Sequence, residues 1–279
     1  MKLERAIRRV IPSAARLTYN PLFKMVVDSF DLLPNCMYEE FSRIPPNHLR
    51  IRVGVGNRIF ANQIFYLNEA RDFWTHAFHA GLFRLDSTIV DIGCGCGRFA
   101  HPLRDYQFKH ETFSGRYIGI DIDEEMLNWC RANFDRTRFE FYRSEHGSKT
   151  YNAKGSAGAY YKLPLEDESA DLVFSSSLFT HLLENEMLNY YRESYRVLKP
   201  GCSMAMFCFS MDHPPPTFGN RHTFQFQMGN AWVETPAMPE AAVAYREDFL
   251  FQTARDIGFR SAQMLVGPED WQPVLLCRK

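Results

Sequence analysis

The sequence predicts an α/β fold: a doubly wound, mostly parallel seven-stranded sheet in the order 3-2-1-4-5-7-6, with an N-terminal helical extension and a lid insertion. Three observations predict it. From Thr88 onward short apolar runs alternate with helical stretches, the signature of parallel β-α-β construction. The first run passes straight into a glycine-rich turn, Gly93-Cys94-Gly95-Cys96-Gly97, ahead of a helix. The last two runs are parted only by Gly267-Pro268-Glu269-Asp270, too short for a crossover helix, so they must pair antiparallel at a sheet edge.

The expected strands are residues 88–92, 117–122, 138–142, 171–175, 203–210, 260–266 and 273–277. Helices fill the gaps, beginning near Arg98, Asp123, Glu184 and Arg246, and the last of them stops at Gly258. Right-handed crossovers then put helices on both faces of the sheet. Two stretches exceed the minimal alternation, residues 144–161 and 211–245, and both follow strands. Ligands of open α/β sheets sit beyond the carboxyl ends of the strands, so insertions there are placed to wall a site. The second insertion holds Asp212-His213-Pro214-Pro215-Pro216 and an expected hairpin, residues 222–227 and 231–235, around Gly229-Asn230; it reads as a lid.

Ahead of the sheet, helical signals are broken by Pro12, Pro21, Pro34 and Pro45-Pro46. A longer helix follows with Leu67, Ala70, Trp74 and Ala77 on one stripe, closed by Gly81. The expected organisation is a helical cap over residues 1–85 and a ligand-binding domain over 86–279, with the lid at 211–245. Residues 1–17 place Leu3, Ala6, Ile7, Val10 and Ile11 on one helical face and Lys2, Arg5, Arg8 and Arg9 on the other. Such a helix either docks on its own domain, which Pro12 favours by cutting it short, or makes peripheral contact with an anionic membrane surface.

Composition narrows the function classes. Of 279 residues, 46% are hydrophobic and 15% aromatic, enough for a globular core and aromatic-lined pockets. A net charge of −1 lacks the basic field that a phosphate backbone demands, so no nucleic-acid partner is expected. The seven cysteines are scattered singly apart from Cys94 and Cys96, with no paired zinc-site spacing; no metal is expected, and a cytoplasmic location suits them. No apolar run approaches the roughly 18 to 20 residues that cross a bilayer, so no transmembrane segment is expected. Composition does not fix the oligomeric state.

The chemistry concentrates where strands end. In the stretch TIVDIGCGCGRFA an acid, Asp91, precedes Gly93, Gly95 and Gly97, whose backbone can pass close beneath a ligand. A dinucleotide site spaces its glycines G-x-G-x-x-G; here the third comes one residue early, and the acid in front is unfavourable to a pyrophosphate. It suits a cation instead, such as the ammonium and sulfonium of S-adenosyl-L-methionine. About 30 residues on, a second strand ends in Asp121, whose carboxylate can accept both hydroxyls of a ribose. Ile122 and Met126 are then placed against an adenine, and Asp123 caps the next helix. The bland alternative makes Asp121 a strand-end cap only.

VDIGCGCGR, YIGIDIDEEML, LPLEDESADLVFSSSLFTHL and the RVLKPG turn resemble the ordered motifs of class I S-adenosylmethionine-dependent methyltransferases over residues 88–210. Within that superfamily the set is closest to bacterial small-molecule and glycan-tailoring O-methyltransferases, a likeness shared by Val53-Gly54-Val55-Gly56-Asn57 and Tyr151-Asn152. The resemblance implies that Asp91, Gly93, Cys94, Gly95, Gly97 and Arg98 hold the methionine half, Asp121 the ribose, and the Ser175-Ser176 backbone the sulfonium end. Where many relatives carry an adenine-gripping Asp this chain has Ala159, which leaves Tyr160, Tyr161 or residues 144–154 for that task.

On the acceptor side, His181 stands just past the fourth strand and is the candidate base; His213, His222 and Trp232 are candidate acceptor contacts. Asp212-x-Pro-Pro looks like the amine-positioning motif of nucleic-acid N-methyltransferases but follows the fifth strand rather than the fourth. Phe73, Trp74 and Phe78 read as core before pocket. The expected function is transfer of a methyl group from S-adenosyl-L-methionine to a hydroxyl of a small-molecule or glycan acceptor, with S-adenosyl-L-homocysteine as product. A protein or peptide methyltransferase and a non-catalytic cofactor-binding scaffold of the same fold are the alternatives.

Overall fold

The computed structural model describes residues 18–53, 60, 62–144, 161–176, 178–213, 222–267 and 272–279. Expectations on residues 1–17, 54–57, 145–160 and 214–216 lie outside the described residues. So do the roles weighed for Tyr151, Asn152, Ala159 and Tyr160. The chain divides into two compact units at Phe73/Trp74, inside the helix Asn62–His79.

The first unit is built from short helices: Pro21–Ser29, Leu32–Met37, Glu39–Ser42, Asn47–Arg50 and the start of Asn62–His79. Asn20 starts the first of them, its side chain accepting the Leu22 and Phe23 N–H groups ahead of Pro21, whose missing donor costs nothing in a first turn. A buried polar network holds these pieces together. Asp31 accepts Arg50 Nη2 at 2.6 Å, Gln63 Nε2 at 2.9 Å and the Asn47 N–H at 3.0 Å. Arg50 Nε donates to Asn62 Oδ1 at 2.8 Å, and Asn62 Nδ2 to Asn47 Oδ1 at 2.6 Å. Polar groups out of water cost little only when satisfied in this way.

The second unit carries the sheet. In chain order the strands are β1 (Thr88–Ile92), β2 (Gln107–Phe108), β3 (Glu111–Thr112), β4 (Arg116–Asp121), β5 (Phe139–Arg143), β6 (Ala170–Ser175), β7 (Leu198–Phe207), β8 (Phe209–Ser210), β9 (Phe226–Met228), β10 (Ala231–Val233), β11 (Val243–Tyr245), β12 (Ser261–Leu265) and β13 (Val274–Arg278). Seven of them form one sheet in the order β12-β13-β7-β6-β1-β4-β5, the predicted arrangement. β13 lies antiparallel to β7 and β12 antiparallel to β13; the other pairs are parallel.

Packing explains the order. Val90, Ile92, Ile118, Ile120, Val173 and Met206 are all buried in one core cluster, as central strands covered on both faces require. The helix Glu184–Val197 adds Met187, Tyr190, Tyr191 and Val197, a stripe at helical spacing. Trp74 is fully buried, its Nε1 donating to the Phe99 carbonyl at 2.7 Å and its ring meeting Phe83 and Phe174 edge-on, so it is core and not pocket.

Three expectations are corrected. The helix placed near Arg98 begins at Ala100, because residues 95–99 are turn. The strand placed at 203–210 starts at Leu198, is irregular between its pairings with Ala170 and Leu172, and ends at Phe207. Phe209–Ser210 instead belongs to a second sheet, β8-β11-β10-β9, which holds the expected hairpin as the shorter strands β9 and β10. That sheet is more than a lid: Ala231, Val233, Val243 and Tyr245 are buried in the main core cluster.

Candidate functional site

β1, β4 and β6 run side by side with aligned carboxyl ends; Asp91 pairs in register with Gly119 on one side and Phe174 on the other. Beyond Ile92 the chain turns through Gly93, Gly95 and Gly97 at φ of +84°, +54° and +78°, values that glycine alone adopts without strain. The turn is pinned to β4, since the Gly93 and Cys94 N–H groups both donate to the Ile120 carbonyl, at 2.7 and 3.1 Å. Space is as tight as the dihedrals: a Cβ on Gly93 would meet Leu178 Cβ at 3.1 Å, and one on Gly97 would meet Cys130 Sγ at 3.1 Å.

Two carboxylates flank this turn. Asp121 Oδ2 accepts the Gly95 N–H at 2.7 Å and Oδ1 the Asp123 N–H at 2.8 Å. Each oxygen retains a lone pair, so the carboxylate can still accept two ribose hydroxyls while bracing the turn. Asp91 is buried; its Oδ2 accepts the Tyr117 hydroxyl, and among the described residues its Oδ1 has no hydrogen-bond partner. A buried carboxylate oxygen without a partner among the described residues, beside the glycine turn, fits the cationic methionine half of S-adenosylmethionine.

Burial pushes the Asp91 carboxyl up to about 7, against the opposing pull of the Tyr117 hydroxyl and the Arg98 charge. A bound cation favours the carboxylate, so cofactor affinity should climb as pH rises through about 7, with proton uptake by buffer on binding, and flatten above it. Calorimetry in buffers of different ionisation enthalpy measures this. A pH-independent affinity, or one equally pH-dependent in Asp91→Asn, would place the titration elsewhere. Without ligand the sign reverses. The folded chain keeps this proton up to about 7 while the unfolded chain releases it near 3.8, so stability falls as pH rises between the two.

The remaining cofactor candidates surround the turn. Arg98 is buried and donates to Ser176 Oγ at 3.3 Å; Ser175 is buried, and among the described residues its Oγ has no partner. Ile122 is half-buried, and Met126 is buried on the helix Glu124–Asn133, which Asp123 caps as expected. Tyr161 packs beside the main core, its carbonyl accepting Asn189 Nδ2 at 3.0 Å. The Cys94 thiol is buried under the turn and driven well above its ordinary pKa by burial, so it is neutral and unreactive. Among the described residues no group of three or more side chains is arranged to hold a metal ion.

His181 closes a short 3-10 turn, Phe179–His181. Its Nδ1 lies 2.9 Å from the Glu240 carbonyl, which only an N–H can satisfy, so the neutral ring carries its proton on Nδ1 and its basic lone pair on Nε2. Burial holds its pKa below the ordinary value. His213 and His222 lie in other surroundings: His213 Nε2 meets Glu247 Oε1 at 3.2 Å, and the His222 ring lies tilted against Phe209 and Phe224. Trp232 packs against the cluster of Phe224, Ala242 and Ala244. Asp212 accepts the Glu247 N–H at 2.8 Å and Arg246 Nη1 at 3.1 Å, capping the helix Glu247–Ile257 from 35 residues away. That explains its motif without an amine substrate.

Sequence reasoning missed Tyr117 as the partner of Asp91. The signal was the strand register, which puts an aromatic hydroxyl of β4 under the end of β1.

Residues 90–206 match the family described as a methyltransferase domain. This stretch is a methyltransferase domain. With the sheet order and the two strand-end acids, it is of the class I, S-adenosylmethionine-dependent kind. The chain is 30% identical over 136 residues to an uncharacterized methyltransferase-like protein of Schizosaccharomyces pombe, covering 48% of this chain and 43% of that one. It is 29% identical over 132 residues to a malonyl-[acyl-carrier protein] O-methyltransferase of Marinomonas sp., 44% of this chain and 48% of that one. A sterol 24-C-methyltransferase of Saccharomyces cerevisiae is 24% identical over 155 residues, 54% and 34% of the two chains. The chain thus spans less than half the length of these curated relatives. Among solved structures, a SAM-dependent methyltransferase from Aquifex aeolicus superposes with a TM-score of 0.47 at 19% identity, over 78% of this chain and 92% of that one.

Proposed function

We propose that the protein transfers a methyl group from S-adenosyl-L-methionine to a hydroxyl of a small-molecule or glycan acceptor and releases S-adenosyl-L-homocysteine. The observation that carries the cofactor half is the pair of carboxylates on adjacent strand ends: Asp91 with an unsatisfied buried oxygen, and Asp121 bracing the glycine turn. Asp91 would hold the cationic methionine half and Asp121 the ribose, with Met126 and Ile122 against the adenine. When bound, the cofactor supplies a methyl group already activated on sulfur. The chain's own residues then align the acceptor and exclude water.

The hydroxyl half rests on His181. His181, its Nδ1–H anchored on the Glu240 carbonyl, would take the proton of an acceptor hydroxyl on Nε2 as that oxygen accepts the methyl group. Calorimetry should detect binding of S-adenosylmethionine and S-adenosylhomocysteine and none of NAD. Extracts incubated with enzyme and cofactor should then yield a small molecule heavier by one methyl group. NAD binding in place of S-adenosylmethionine would overturn the cofactor half; methylation confined to proteins would overturn the acceptor class.

A further inference from the structure

The helices at the start of the first unit carry apolar residues on an exposed outer face. On Pro21–Ser29 the exposed residues Leu22, Met25 and Val26 follow helical spacing, opposite the buried Val27. On Leu32–Met37 the exposed Leu32, Leu33 and Met37 repeat the pattern. Leu22 is 69% and Leu33 70% exposed, so these side chains point away from the protein. The inner side is fixed: Asp31, between the two helices, is buried under Arg50, Asn47 and Gln63, and the Val27 carbonyl accepts Asn47 Nδ2 at 3.1 Å. The outer face is therefore held in place and not a by-product of a loose segment. Single apolar residues on a surface need no explanation, but two consecutive helices that both turn their aliphatic residues outward do.

The geometry points to this face as a docking surface for an anionic lipid bilayer, with the two helices lying in the headgroup region. Charge argues for that occupant. Residues 1–17, directly ahead of the first helix, contain Lys2, Arg5, Arg8, Arg9 and Arg16 against the single acid Glu4, the composition that anionic lipids attract. The aromatic residues agree. Tyr19 and Tyr38, at the outer ends of the helix pair, are 50% and 56% exposed, and the Arg52 guanidinium sits 4.3 Å over the Tyr19 ring, an apolar body with a cation at headgroup level. Among the described residues no helix is long and apolar enough to cross a membrane, so the contact is interfacial. This inference does not depend on the methyl-transfer reading.

The test is co-sedimentation of the full chain with phosphatidylcholine vesicles, with and without phosphatidylglycerol. The protein should pellet with the phosphatidylglycerol vesicles, less so at high salt. Leu22→Glu/Leu33→Glu should weaken partitioning at least about tenfold, with cofactor affinity by calorimetry unchanged as the check on folding. A second variant, with Lys2, Arg5, Arg8 and Arg9 changed to Gln, leaves the helices intact and should weaken binding to the anionic vesicles only. Wild-type protein that stays in the supernatant overturns the proposal, as do variants that pellet like wild type. So does a wild-type dimer that Leu22→Glu/Leu33→Glu converts to monomer, because the face would then belong to a second copy of the chain.

Discussion

His181→Gln should lower turnover by about 100- to 10,000-fold while cofactor affinity holds, the range that general-base assistance contributes. Glutamine is the informative replacement. Its amide N–H can still donate to the Glu240 carbonyl, so the 3-10 turn keeps its anchor, but no basic nitrogen remains. His181→Ala should lose as much turnover and some stability besides, since the Glu240 carbonyl then loses the ring N–H. Burial lowers the pKa of this ring, so the wild-type rate should rise with pH through a midpoint below the ordinary histidine value. Stability follows the same sign: the neutral ring is fully stabilising above that value, and the benefit is lost as pH falls through the lowered pKa. Folded His181→Gln that keeps most of its turnover would remove His181 as base. It would equally indicate a carboxylate or neutral amine acceptor, neither of which needs deprotonation before attack.

What the sequence revealed and what it hid have one physical explanation: local patterns are legible and long-range pairings are not. The sheet order could be read because each strand is a short apolar run and the last two are joined too tightly for anything but a hairpin. The glycine turn and its two acids could be read because the seven consecutive residues 91–97 and one further strand end carry them. The second sheet could not, because its strands are two or three residues long and Phe209 pairs with Ala244, 35 positions away. Residues 211–245 accordingly looked like a detachable lid, while Val233, Val243 and Tyr245 are buried in the main core. Asp212-x-Pro-Pro follows the fifth strand, the wrong place for amine chemistry, but nothing local showed that Asp212 is a helix cap supplied from a distance. In the first unit Asp31, Arg50, Asn47, Asn62 and Gln63 meet as one buried network. No spacing rule announces such a cluster.

Asp121→Ala should weaken S-adenosylmethionine binding by about 10- to 150-fold, the loss of roughly 1.5 to 3 kcal/mol that follows removal of hydrogen bonds to a charged group. The structure adds a second consequence. Both oxygens of Asp121 already hold backbone N–H groups, those of Gly95 and Asp123, so alanine also leaves two part-buried donors unpaired. The ligand-free variant should therefore melt several degrees lower, at about 2 to 4 °C per kcal/mol for a domain of this size. Asp121→Asn separates the two effects. Its single carbonyl oxygen can keep one N–H but turns an amide on the other, so it should share the stability loss while retaining one acceptor for a ribose hydroxyl. Affinity should then fall in the order wild type, Asn, Ala. If both variants melt lower yet bind the cofactor as tightly as wild type, Asp121 is only the clamp that fixes the glycine turn, and the ribose is held by another group. Loss of affinity with an unchanged melting temperature would mean the opposite: that the Gly95 and Asp123 N–H groups find new acceptors once the carboxylate is gone, and that Asp121 serves the ligand alone.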